Sequence, residues 1–122
     1  MAAGDPGPYP VRLEHGTVPI VSTKAERRAA RERVSAYHQS QLAELLSHVG
    51  AAIDRYRVGE IDAYATDETI HHYHRAAGEL WKFCFSRGGS THAELIASVL
   101  DRMTADAEAI DWWERATPPR PQ

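Results

Sequence analysis

Apolar residues in this chain recur every three to four positions over three long stretches, each closed by glycine or proline. That spacing follows the turn of an α-helix, not the two-residue alternation of a strand. It restricts the chain to helices packed on helices. The first stretch opens at Thr23 with Glu26 three residues on, a capping box in which each side chain satisfies the other's backbone N–H. Val34, Leu42, Leu45, Leu46, Val49, Ile53 and Tyr56 keep the period to Val58, and Gly59 is a natural stop. A helix of about 35 residues is roughly 50 Å long.

The second stretch opens near Thr66 or Asp67, both good N-caps. It sets Ile70, Tyr73, Ala77, Leu80 or Trp81, and Cys84 on a heptad-spaced seam and ends at Gly88-Gly89. The third opens at Ser90-Thr91, where Glu94 closes a second capping box. Its seam is Ile96, Val99, Leu100, Met103, Ala107 and Ile110, and Pro118 stops it. Short connections between long helices favour antiparallel neighbours. The expectation is an all-α fold, an antiparallel three-helix bundle with coiled-coil-like packing over residues 23–116. Residues 1–22, rich in proline and glycine, read as a flexible N-terminal arm, and residues 117–122 as a disordered tail. The long first helix is expected to project beyond the others at its N-terminal part, where a second copy or a partner covers it. A homo-oligomer follows from that reading.

A chain of 122 residues is one domain, large enough to bury a core without staples. Its net charge of −3 does not suit a general polyanion binder. No stretch approaches the roughly 18 apolar residues that span a bilayer. Met1 to Pro10 holds Asp5 and three prolines without the apolar centre of a secretory signal. Cys84 is the only cysteine, so no internal disulfide forms, and the expected compartment is the cytoplasm. Arginine outnumbers lysine twelve to two, a bias that points to a GC-rich bacterial genome.

The run Ile61-Asp62-Ala63-Tyr64, followed by Ile70-His71-His72-Tyr73-His74-Arg75-Ala76-Ala77-Gly78-Glu79-Leu80-Trp81-Lys82-Phe83-Cys84, is similar to a group of short uncharacterised proteins of actinobacteria. The resemblance covers about a quarter of the chain. It implies bacterial origin and helical character and carries no established activity.

Four constellations bear on function. His38 is in phase with Leu42, Leu45 and Val49, Cys84 with Ile70 and Ala77, and His92 with Ile96 and Met103. Folding back at Gly59 and at Gly88-Gly89 sets His38, Cys84 and His92 at one level of an antiparallel bundle. A thiolate and two imidazoles suit a divalent transition metal, zinc or iron, with a water as fourth ligand. A cysteine nucleophile with a histidine base is the catalytic version of the trio, and a structural polar layer is the plain one. An alternative metal set is Asp67, His71 and His74, at i, i+4 and i+7. Glu68 with His71 has the Glu-x-x-His spacing of di-iron bundles, but the other helices lack the matching inward glutamates. As a solvated helix face, the same histidines need no ligand.

Lys24, Arg27, Arg28 and Arg31 share one broad face at the start of the first helix, a stripe that can contact phosphates of a nucleic acid. Glu26 and Glu32 dilute it, and no helix-turn-helix glycine turn or zinc-finger spacing accompanies it. Arg33 and His38 form an Arg-x4-His spacing seen in some helical RNases of toxin–antitoxin systems, without the polar residue usual after the arginine. Trp112 and Trp113 are adjacent, so they cannot both face one core. Trp112 is expected on the outer surface as an interface anchor, or covered by the arm through Tyr9, Leu13, Val18 and Ile20. No Gly-rich phosphate loop, Gly-x-Ser-x-Gly elbow, His-Glu-x-x-His or Cys-x-x-Cys occurs. The sequence therefore reads as a non-enzymatic helical interaction or regulatory protein that self-associates and carries no cofactor. The alternatives are a metal-binding bundle and a nucleic-acid-binding or antitoxin-like regulator.

Overall fold

The computed structural model describes residues 23–85 and 89–118, and every regular element among them is helical. The helices are α1 (Lys24–Arg57), α2 (Ala63–Phe85), α3 (Gly89–Ala105) and α4 (Trp112–Arg115). The arm expected over residues 1–22, the capping box at Ser90-Thr91 and the tail beyond residue 118 lie outside the described residues.

The start of α1 follows from side-chain chemistry. The Glu26 N–H donates to Thr23 Oγ1 at 3.0 Å, and the Thr23 N–H donates to Glu26 Oε1 at 2.7 Å. The hydrogen bond from the Thr23 backbone holds the Glu26 carboxyl below its ordinary range. The end of α1 is a Schellman motif: the Glu60 N–H reaches Arg55 O at 2.8 Å and the Gly59 N–H reaches Tyr56 O at 3.0 Å. That motif needs a left-handed residue, and Gly59 supplies it at φ 83°.

The start of α2 falls at Ala63, ahead of the expected Thr66 or Asp67. The reason is Asp62, whose Oδ1 accepts the Ala65 N–H at 2.9 Å. Thr66 is instead a buried residue inside the helix, and its hydroxyl donates to Asp62 O at 2.9 Å.

The largest departure lies in the third helical stretch. It runs only to Ala105 and not to Pro118. A second Schellman motif ends it, with the Glu108 N–H on Met103 O at 2.8 Å and the Ala107 N–H on Thr104 O at 3.2 Å. Its left-handed residue is Ala107, at φ 56°. Ala107 and Ile110, expected on the α3 seam, therefore lie in a loop. Asp111 then caps a separate short helix, its Oδ1 accepting the Glu114 N–H at 3.0 Å.

Packing ties α1 to α2 as an antiparallel hairpin. Tyr37 and Phe83 stand equally far before and after Glu60, and their rings are 6.0 Å apart. Helix α3 meets the N-terminal half of α1, where Arg33 Nε pairs with Asp101 at 3.5 Å. The start of α1 was expected to project free, yet Ala30 and Val34 belong to the core cluster together with Ala93 and Ile96 of α3. Leu80, Leu100, Val34 and Cys84 are fully buried at its centre. Burying each large aliphatic side chain stabilises the fold by roughly 1.5–3 kcal/mol. Helix α2 turns Ala76, Leu80 and Cys84 inward. Ile70 and Trp81 of the expected seam stay 43% and 53% exposed.

The two Schellman turns predict substitutions of opposite sign. Nothing lies within 4 Å of a Cβ placed on Gly59, so Gly59→Ala destabilises through backbone strain alone, by about 1 kcal/mol. Ala107→Gly relieves the same strain and stabilises by about 1 kcal/mol. Urea unfolding of the two variants checks both signs.

Candidate interaction site at the tryptophan pair

Residues one step apart on a helix point about 100° apart, so α4 must send its two indoles to different places. Trp112 goes inward and is 3% exposed, not on the outer surface as expected. A buried indole needs a partner for its N–H. Trp112 Nε1 donates to the Tyr37 hydroxyl at 2.9 Å, and its ring packs on Phe83 at 5.2 Å. The Arg115 guanidinium lies 5.2 Å from the same ring. Burial raises the Tyr37 phenol above its ordinary range, opposed by the hydrogen bond from Trp112.

Trp113 is held between two imidazoles. His48 of α1 stacks on it at 4.0 Å and 4°, and His72 of α2 at 3.9 Å and 6°. His72 Nε2 lies 2.7 Å from the Trp113 carbonyl oxygen. A carbonyl only accepts, so Nε2 carries the proton and donates. One short helix thus clasps both long helices. Beside the clasp is an open groove of about 370 Å³, lined by Leu45, Trp112 and Trp113 with Glu44, His48 and Asp111 at its polar side.

The proposed ligand sets are not assembled. Among the described residues, no group of three or more histidine, cysteine, aspartate or glutamate side chains is placed to hold a metal ion. His38 packs edge-on against Phe85, with ring centres 5.0 Å apart. His92 directs Nε2 to the Phe83 carbonyl at 3.3 Å, and its Nδ1 is buried without a hydrogen-bond partner. Cys84 is 1% exposed in the core, and burial pushes its thiol up to about 11. A thiol so buried is a poor nucleophile and a poor ligand at neutral pH. In the alternative set, Asp67 and His71 form an exposed pair at 3.2 Å, and His74 stands exposed on the same helix. Lys24, Arg28 and Arg31 are exposed and Arg27 is half-buried, so the basic stripe faces outward.

Sequence reasoning passed over His48, His72 and Tyr37. A signal for the first two existed: they stand equally far on either side of Glu60, which puts them level in an α1–α2 hairpin. Tyr37 carried no signal beyond its helical phase. No protein family, curated protein or solved structure matches the chain.

The buried thiol sets a pH dependence. Its folded-state pKa lies above that of the unfolded chain, so between the two values the folded state holds more protons. Stability from Cys84 is therefore full below the ordinary thiol range and falls as pH rises toward about 11. Alkylation kinetics at mildly alkaline pH are expected to show a slow thiol that becomes fast only in denaturant. Rapid alkylation of the native chain would contradict the burial.

Proposed function

We propose that the chain is a non-enzymatic helical interaction protein that self-associates. The observation that carries this reading is the set of large apolar side chains left open to solvent on the α1–α2 hairpin. Leu46 is 48% exposed, Ile70 43% and Trp81 53%. Each belongs to a long, regular helix, where a polar residue would be equally helical and more soluble. The residues of chemical interest, by contrast, have structural employment. His48 and His72 hold Trp113, Cys84 fills the core, and Asp111 caps α4.

A charge count supports a protein partner over a polyanion, because the net charge is −3. Glu26 at the start of the basic stripe is committed to its cap. No helix among the described residues is long and apolar enough to cross a membrane.

Sedimentation of the full chain over a wide concentration range tests the reading. The expected result is a mass that rises above 13.6 kDa as concentration increases. A mass fixed at 13.6 kDa throughout would contradict self-association.

A further inference from the structure

Exposed apolar residues that scatter need no explanation, so their placement decides what they mean. Here they are not scattered. Leu46 stands two positions before His48, Ile70 two before His72, and Trp81 two before Phe83. His48, His72 and Phe83 are the residues that touch the α4 tryptophans. Two positions on a helix are about 200°, so all three apolar residues lie on the flank opposite α4. That flank is one continuous face of the antiparallel hairpin. Leu42 and Ile53 of α1 and Ala77 of α2 fill the rows between them, each half-buried.

From Ser35 to Ile53 on α1, and from Ile70 to Phe85 on α2, the positions in phase with this face hold no lysine, arginine, aspartate or glutamate. Gly50 and Gly78 lie at its outer edge, and neither would place a Cβ within 4 Å of another atom. The face therefore alternates large apolar side chains with open positions. Its borders are charged, with Glu32 before it and Arg57 beyond it on α1.

We infer that a second copy of this chain docks on the α1–α2 flank opposite α4, end for end, as an isologous helical interface. This rests on the self-associating reading above and names the surface that reading requires. Two observations select a second copy over another occupant. An uncharged centre brings no like charge against its own copy. Reversing the copy end for end also sets Arg57 of one α1 level with Glu32 of the other, because the two lie nearly equidistant from Leu46. The borders then attract. The area is also adequate. The flank from Glu32 to Arg57 is about 37 Å long and two helices, or about 20 Å, wide. That outline of roughly 700 Å² is near the ~800 Å² per partner of a standard stable interface.

The test is sedimentation of the full-length Leu46→Glu and Trp81→Glu variants, with Leu95→Glu on α3 as an exposed control. Leu46→Ser and Trp81→Ser, which add no charge, are measured beside them so that a loss of helical signal in a glutamate variant does not decide the outcome. The expected result is self-association at least about thirtyfold weaker in the Leu46 and Trp81 variants, with Leu95→Glu like the parent. If the parent associates and folded Leu46 and Trp81 variants associate equally well, the flank is wrong while self-association stands. A parent chain that stays monomeric overturns both. Weakening by Leu95→Glu to the same degree would move the interface to α3 and overturn this one.

Discussion

An indole N–H cannot be left unpaired in an apolar interior, and the Tyr37 hydroxyl is what makes burial of Trp112 possible. Much of the rest of the molecule depends on that hydrogen bond. It brings α4 against α1 at one level of the hairpin, and the Phe83 ring completes the contact from α2. Once Trp112 is inward, the helical turn sends Trp113 to the rim, where His48 and His72 close on its two faces. A four-residue helix could not persist alone, since helix nucleation is unfavourable. It persists because its two aromatic side chains join two helices that already pack together. The same geometry covers one side of the hairpin and leaves the other bare.

The helix ends show which features were legible. Thr23 with Glu26, and Gly59, announce their boundaries because each is the residue type that the local hydrogen bonds require. Ala107 occupies the same structural position as Gly59 and announces nothing, since alanine is the best helix former and the poorest sign of a helix stop. The third helix was therefore read as continuous to Pro118, and the capped turn at Asp111 was missed. Asp62 was overlooked in a similar way. Thr66 and Asp67 are equally good caps by type, and only the hydrogen bonds distinguish them. Along α2, heptad spacing named Ile70 and Trp81 as inward residues. The inward stripe is Ala76, Leu80 and Cys84, because α1, α3 and α4 meet α2 over different parts of its length.

The candidate ligands illustrate the same limit. Helical phase correctly made Cys84 inward, but phase says nothing of what stands beside it, and it is a core residue. His38 and His92 end on Phe85 and on the Phe83 carbonyl, so each ring is occupied by an aromatic or backbone neighbour. The histidines that do converge, His48 and His72, converge on an indole and not on one another. Their meeting depends on α4, an element absent from the three-helix reading. Exposure of Leu46, Ile70 and Trp81 was hidden for the opposite reason: their periodicity is that of core residues, and the sequence does not say which apolar stripe the chain itself covers.

The most direct test of this account is hydroxyl-radical footprinting of the three tryptophans as a function of protein concentration. Trp112 is expected to stay protected at every concentration, since its cover is intramolecular. Trp81 is expected to be oxidised readily in dilute solution and protected as concentration rises. Oxidation of Trp81 that does not change with concentration, or rapid oxidation of Trp112 in the folded chain, would contradict it.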